Sequence, residues 1–330
     1  MSTITVQPRP DIALTIIQDQ PNLSNSFIAN KVFPTFPVGV STAPIPRILR
    51  RTRLERLYRP RYGSFPRGQS EVVSAGTYNC QEQGFEEPYD AKDCEVHKGE
   101  AQCQATLGAM AMRNVLLAHE SGVANSLMTT ATFGAGFNAA AAAAWGSAGD
   151  KPINDIADAK QATALACGNE ANTLVIGFGL YTKLKKSPQM QTQGRAVLGY
   201  TSAKGIEVDL DPKLLATIFG VEQVLIGRAT IDTSDEGQTA APGFIWPSDK
   251  ALVAYIPTPS DALAPHLGRT FVWDSGLMEF GGQTQMPSEY EGFVLETYGD
   301  VPRNTGVVRA RKYLDTLLLN KDSGYLITGC

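Results

Sequence analysis

The chain has 330 residues, 43% hydrophobic and 19% charged, enough for two domains and a sizeable core. Its formal net charge of −4 argues against general affinity for nucleic acid, and no segment is long and apolar enough to span a bilayer, the run Ala139–Trp145 being too short. Met1–Pro10 lacks the apolar core of a signal peptide, and Cys80, Cys94, Cys103, Cys167 and Cys330 are scattered without a C-x-x-C, so they read as reduced thiols of a cytoplasm.

Up to about Arg50 the chain is rich in proline (Pro8, Pro10, Pro21, Pro34, Pro37, Pro44 and Pro46). Residues before proline are pushed towards extended conformations, which predicts an extended arm. One short helical piece fits near Asn22–Lys31, with Asn22 or Ser24 as its cap. Such an arm either gains its stability from neighbouring molecules or hugs its own surface.

Arg47 to Arg67 is the most charged stretch: Arg47, Arg50, Arg51, Arg53, Arg56, Arg59, Arg61 and Arg67 face only Glu55, with Tyr58, Tyr62 and Phe65 interleaved. Arginines with aromatics can hold single-stranded nucleic acid through phosphates and stacking. They can equally pair with carboxylates across a subunit interface, for which Glu82, Glu86, Glu87, Asp90 and Asp93 are available; the interface is the favoured reading. Gly63, Pro66 and Gly68 mark a turn, after which Val72 to about Phe85 returns as a strand.

From Asp90 to about Met128, Cys103, Leu107, Met110, Asn114 and Leu117 recur at three- and four-residue steps, predicting a long amphipathic helix that Gly99, Gly108 and Gly122 weaken. Thr129–Gly149 is a compact connection of small residues; its G-x-G is no phosphate loop, since no Lys-Ser/Thr follows. Pro152–Cys167 is helical and stops at Gly168, Thr173–Ile176 is a buried strand, and Phe178–Lys186 is a second helix with a basic last turn, stopped by Pro188. Gln191–Gly205 reads as a polar connection. A helix Pro212–Phe219 capped by Asp211 leads into a strand Val221–Ile226, and Thr230–Gly243 is a polar loop. Phe244–Trp246, Ala251–Ile256 and Thr270–Trp273 are strands, Gly281–Asp300 is Gly- and acid-containing, Val307–Leu319 is a β-rich return, and Ser323–Cys330 is a closing strand.

Little here suits an enzyme. His97, His119 and His266 are far apart and lie in no metal spacing; His97 and His119 fall on the long helix, on its solvent side or at an interface. Cys103 and His119 would stand about four turns apart, beyond the contact a nucleophile needs. Gly177-Phe178-Gly179 follows a strand and opens a helix, yet lacks the third glycine of a dinucleotide loop. Asp150, Asp155 and Asp158 could bind a cation but suit the helix N-terminal dipole better. No catalytic, cofactor or metal residues are expected.

Several strings carry a family resemblance. Trp145 precedes P-I-N-D-I (Pro152–Ile156), a helix, and A-N-T-L-V-I-G (Ala171–Gly177); L-L-A-T-I-F-G-V-E-Q-V-L-I-G runs from Leu214 to Gly227; Trp246 precedes A-L-V-A-Y (Ala251–Tyr255); A-N-K-V-F-P spans Ala29–Pro34. Together they resemble the major capsid proteins of tailed bacteriophages with the HK97 fold, Ala171 standing where that family often has Pro. The resemblance implies an α+β capsid fold with an N-terminal arm (1–50), an E-loop hairpin (51–88), a P-domain with a long spine helix (89–150), an A-domain with a central mixed sheet (151–290) and return strands (291–330). It implies hexamers and pentamers of the chain itself, closing an icosahedral shell around packaged double-stranded DNA, with a separate scaffolding protein, a portal and in some cases a decoration protein. The location implied is a virion capsid assembled in the host cytoplasm. The contacts with neighbours would come from the arm and E-loop: Phe33, Arg47, Arg50, Arg51, Arg53, Arg56, Arg59, Arg61, Tyr62, Phe65 and Arg67. The hairpin tip, Tyr62–Gly68, holds no Lys, so no Lys–Asn cross-link between subunits is expected. An encapsulin-like compartment of the same fold, a small α/β enzyme and a nucleic-acid-binding module are the alternatives.

Overall fold

Two β-sheets share one long helix. A computed structural model of the chain describes residues 7–9, 12, 16, 26–49, 59, 61–64, 71–90, 92, 94, 100–199, 207–235, 237–257, 266–273, 292–300 and 305–330. Its strands are β1 (Gln7–Pro8), β2 (Thr35–Val38), β3 (Thr42–Leu49), β4 (Glu71–Asn79), β5 (Gln81–Tyr89), β6 (Asn138–Ala140), β7 (Thr173–Gly177), β8 (Gln223–Gly227), β9 (Thr230–Asp232), β10 (Pro242–Phe244), β11 (Lys250–Ala254), β12 (Gly268–Trp273), β13 (Phe293–Asp300), β14 (Thr305–Leu318) and β15 (Gly324–Thr328). Its helices are α1 (Ala29–Val32), α2 (Glu100–Leu127), α3 (Pro152–Cys167), α4 (Phe178–Lys186), α5 (Pro188–Val197) and α6 (Pro212–Phe219).

The first sheet has the order β1-β13-β14-β12-β2, with β5 also paired along β14. The long β14 is its axis, antiparallel to β13, β12 and β5, while β2 joins β12 in parallel. The second sheet has the order β6-β15-β11-β7-β8 and is mixed: β7 and β8 run parallel, and β11 is antiparallel to β7 and β15. The inner strands β7 and β11 are buried on both faces, which is why they read as near-continuous Val, Leu, Ile and Ala. One face (Leu174, Ile176, Val253 and Ile327) packs under α3 to α6 through Ile156, Leu180, Leu184, Met190 and Leu215. The alternate residues Val175, Leu225, Leu252 and Leu326 face Val123, Ala124 and Leu127 at the end of α2. The first half of α2 meets the other sheet, with Ala109, Met112, Val115 and Leu116 against Leu295, Val308 and Ala310. At 1.5 Å per residue α2 is about 42 Å long, enough to serve both cores.

A buried polar knot sits where these parts meet. Glu120 of α2 is fully buried; its carboxylate accepts from the backbone N–H of Ile28 (3.0 Å to each oxygen) and Ala29 (2.7 Å), and from the indole N–H of Trp246 (2.6 Å). It thereby caps α1, which has no side-chain cap of its own. Trp246 in turn lies across the ends of β7 and β8. Gly177 and Gly227 are register partners, and a Cβ at either would overlap Trp246, at its carbonyl or its indole ring respectively. Both strand-ending glycines of the L-V-I-G and V-L-I-G strings therefore seat one tryptophan. Next to Glu120, His119 is buried and hydrogen-bonded to the Thr270 hydroxyl (3.2 Å), which donates to the carbonyl of Phe33 (3.1 Å). The segment 28–34 is thus held on both sides by two consecutive residues of α2.

Several expectations need correction. His119 faces the core, not solvent or a neighbour; His97 lies outside the described residues. Cys94 and Cys103 form a disulfide, with Cα atoms 5.3 Å apart, instead of reduced thiols; that juxtaposition depends on the chain path and does not follow from spacing. Cys80, Cys167 and Cys330 are buried free thiols. Pro188 ends α4 but also opens α5, because Ser187 takes the N-cap and accepts from the Met190 N–H (3.3 Å), so much of the expected polar connection is helical. Among the described residues of the early helical piece, Ala29–Val32 is helical, while Asn22 and Ser24 lie outside them; Asp211 makes no side-chain cap bond, and β13 occupies the end of the Gly- and acid-containing stretch. The long helix is described over Glu100–Leu127.

Replacing Gly227 by Ala is expected to force the Cβ into the Trp246 indole and cost about 1–3 kcal/mol in urea unfolding. A second expectation concerns pH. Burial, with the Lys312 charge as a lesser cause, lowers His119 to about 3, far below the ordinary histidine value of about 6.5. Between those values the unfolded chain takes up a proton that the folded chain refuses, so this residue's contribution falls as pH falls, by up to about 1.4 kcal/mol per unit. Burial raises Glu120 despite its hydrogen bonds, which gives the opposite sign: its contribution is present at low pH and declines as pH rises through its folded value. His119→Gln should flatten the loss of stability between pH 6.5 and 5 relative to the native chain; a parallel pair of curves would refute the assignment.

Candidate assembly surface

The arginine-rich stretch is flanked in sequence by the two strands of a ribbon. Strands β3 and β4 pair antiparallel from Thr42↔Asn79 to Leu49↔Glu71, with a bulge between Ile45 and Pro46. The ribbon thus begins at Thr42, and the expected single strand from Val72 to Phe85 divides at Cys80 into β4 of the ribbon and β5 of the first sheet. Proline suits such a ribbon, since each strand has one edge that needs no partner N–H. The base of the ribbon is anchored: the Tyr78 ring stacks on Phe271 (4.6 Å), and the Asn79 N–H donates to the Asp315 carboxylate (2.7 Å).

Towards the tip, Arg59, Arg61 and Tyr62 are exposed. Arg59 donates to the carbonyl of Gly63, and the Arg61 guanidinium lies 5.7 Å from the Tyr62 ring. Tyr62 is 91% exposed and has φ +73°, a left-handed conformation that costs a non-glycine residue roughly 1–2 kcal/mol. Arg47 is described as backbone within β3. Arg50, Arg51, Arg53, Arg56, Phe65 and Arg67 lie outside the described residues. Phe33, expected to touch a neighbour, is buried in its own chain, where its ring fills the space above Gly268.

Three of the expected acidic matches bond within their own chain. Glu82 pairs with Arg311 (3.1 Å) and Glu86 with Arg309 (3.5 Å), both within the first sheet; Asp90 accepts from the Lys92 N–H (3.1 Å), and Asp93 lies outside the described residues. Between the two arginines sits the buried Glu296, bound by Arg309 (2.6 Å) and Arg311 (2.7 Å). Burial opposes ionisation of Glu296, but the Arg311 and Arg309 guanidiniums outweigh it and hold its carboxyl below the usual range. The half-exposed pairs to Glu82 and Glu86 are worth at most about 1 kcal/mol each. The alternation Arg309-x-Arg311 in a strand was the available signal, since residues two apart share a face.

The other candidate chemistry resolves into packing. Gly177 and Gly179 press on Trp246, Pro247 and Ser248, so the G-F-G string makes room for a backbone crossing. Asp155 accepts from the Trp145 indole (2.9 Å) and Asp150 from the Gly146 N–H (2.8 Å), fixing the turn ahead of α3. Among the described residues, no group of three His, Cys, Asp or Glu side chains is placed to hold a metal ion. No described helix is long and apolar enough to cross a membrane. Burial raises Cys80 to about 11 and Cys330 to about 12, which leaves both thiols protonated at neutral pH.

No protein-family model matches the chain. The major capsid protein of Burkholderia phage BcepMu is 31% identical over 191 residues, which cover 56% of this chain and 52% of that protein; the match thus spans about half the relative's length. Among solved structures, a phage-related protein from Bordetella bronchiseptica RB50 aligns over 98% of this chain and 97% of its own, with a TM-score of 0.68 and 18% identity. The capsid structure of cyanophage P-SCSP1u aligns over 91% of this chain and 86% of its own, with a TM-score of 0.56 and 10% identity. The chain therefore has the HK97-like fold that its sequence resembles.

Proposed function

We propose that the chain is a shell-forming subunit of a tailed-phage head. Many copies would close an icosahedral shell around packaged double-stranded DNA, by assembly and without catalysis. The observation that carries this reading is the fold match over nearly the whole chain, together with the stretch that is 31% identical to a phage major capsid protein. The ribbon gives the reading a mechanism. A hairpin with exposed Arg59 and Arg61 and a strained, exposed Tyr62 is well explained by a neighbour that receives it. Arg47, Arg50, Arg51, Arg53, Arg56 and Arg67 would add charge to that contact, and Phe65 apolar area. In this reading the N-terminal arm is 1–50, the hairpin 51–88, the P-domain 89–150 and the A-domain 151–290, with return strands in 291–330. Scaffold, portal and decoration proteins would be separate chains, and assembly would take place in the host cytoplasm.

The test is the mass and negative-stain image of the purified chain, expressed alone and with its neighbouring phage proteins. Closed megadalton shells are expected; a strictly monomeric or dimeric chain under every condition would contradict the reading, and shells loaded with a protein cargo in place of DNA would favour a compartment. Within the same assay, the double variant Arg59→Glu/Arg61→Glu should abolish closed shells while leaving the subunit's far-ultraviolet circular dichroism unchanged. Tyr62→Gly should reduce shell yield without lowering subunit stability, because it removes the left-handed strain of about 1 kcal/mol along with the contact.

A further inference from the structure

The ribbon and the first sheet share one stretch of chain. β4 runs through Cys80 straight into β5, and after Tyr89 the chain reverses into α2. Polar contacts fasten that reversal. The Gln104 amide of α2 donates to the Tyr89 hydroxyl (2.8 Å), and the Arg9 guanidinium donates to the Gln104 side-chain oxygen (3.0 Å). Asp90 opens the reversal: its carboxylate accepts from the Lys92 N–H (3.1 Å) and its carbonyl from the Cys94 N–H (3.2 Å). Cys94 is then bonded to Cys103 of α2, their Cα atoms 5.3 Å apart, and each is only 3% exposed.

This bridge is at odds with the compartment in which the chain would assemble. A cytoplasm holds thiols reduced through glutathione and thioredoxin, and the disulfides found there are usually transient, catalytic or redox-sensing. The chain's other cysteines do not share this chemistry. Cys80, Cys167 and Cys330 are buried free thiols, and burial keeps Cys80 and Cys330 protonated at neutral pH, whereas the thiolate is the form that exchanges. Of the five cysteines, Cys94 and Cys103 alone are paired.

We propose that Cys94 and Cys103 remain a dithiol while subunits assemble and close into the disulfide once the particle has left the cell, locking the root of the ribbon. The inference rests on the shell reading above. The oxidant is a small disulfide such as oxidised glutathione. One cysteine thiolate attacks it and releases one small thiol; the second cysteine thiolate attacks the mixed disulfide and releases the other. The chain loses two electrons and two protons, and the small disulfide takes them up as two thiols. In the dithiol the reversal can yield while a ribbon seats on its neighbour. In the disulfide the chain that leaves β5 is tied to the helix that both sheets share, and a closed loop gains less freedom on opening. Burial of both residues shelters the closed bridge from thiols in solution, so it persists.

Thiol trapping on the full chain tests this. Cells making the chain are quenched in acid, and the chain is unfolded and alkylated with a maleimide. Released particles are treated in the same way after incubation with oxidised glutathione. Chains from inside the cell should take five labels, one per cysteine, and chains from released particles three, with Cys94 and Cys103 protected. Five labels in both samples would mean that no bridge forms, and three already inside the cell would mean that closure does not wait for release; either result overturns the proposal. Particles exposed to the oxidant should also outlast untreated ones at a fixed elevated temperature, with a severalfold longer half-life of intact shells. Cys94→Ser/Cys103→Ser particles should gain nothing from the oxidant. Equal half-lives of the native samples, or the same gain in the double variant, would overturn the latch; the native comparison stands alone where the variant fails to fold. Absence of closed particles from the native chain would overturn the shell reading and the latch with it, and the label counts tell that failure from a failure of the bridge.

Discussion

A carboxylate removed from water has to be met by donors, and Glu120 is met by three groups from two distant parts of the chain. Ile28 and Ala29 bring the N-terminal segment, and Trp246 brings the loop that crosses the second sheet. The residue itself stands on the helix that both sheets share. The joint is costly to break in any one place, because removing a donor leaves buried charge behind. The same helix position supplies His119, whose bond to Thr270 fixes the first sheet to the same segment. In the proposed shell, this joint would carry load from the sheet that anchors the ribbon to the other sheet.

The run from α3 to α4 could be read from the sequence almost residue by residue because its signals are local. Pro152 opens α3, Gly168 closes it in the left-handed region at φ +75°, and the β-branched run of β7 lies between turn residues. The long helix and the closing strand were legible for the same reason. What escaped depends on partners far away in sequence. Pro188 looks like a stop until Ser187 is seen to cap the next helix. The Cys94–Cys103 bond, the burial of His119 and the inward turn of Phe33 all follow from packing between elements, on which the sequence pattern is silent. The motif glycines are an intermediate case. Gly177 and Gly227 directly follow the expected strands Thr173–Ile176 and Val221–Ile226, but the reason for glycine is Trp246, which packs on both from some twenty residues or more away.

The proposed contact was read from charge and composition, and the described residues bear on it in two places. Eight arginines against one glutamate suggest a contact, and of that stretch Arg59, Arg61 and Tyr62 are described and exposed. The partners that charge balance suggested are another matter: Glu82 and Glu86 already serve Arg311 and Arg309 around Glu296. Charge counting ignores register, and the register of β5 on β14 places those carboxylates opposite their own arginines, Glu86 at Arg309 and Glu82 at Tyr313 beside Arg311. In the proposed assembly, an acidic face that receives the ribbon would have to include residues beyond these two.

The claim that Glu120 and Trp246 join the two halves is tested most directly by a double-mutant cycle in urea unfolding with Glu120→Gln, Trp246→Phe and the pair. The account predicts a coupling energy above about 1 kcal/mol, because each single change leaves the other group buried and short of its partner. Additive effects, within about 0.5 kcal/mol, would show that the two residues act independently and that the halves are joined by apolar packing alone.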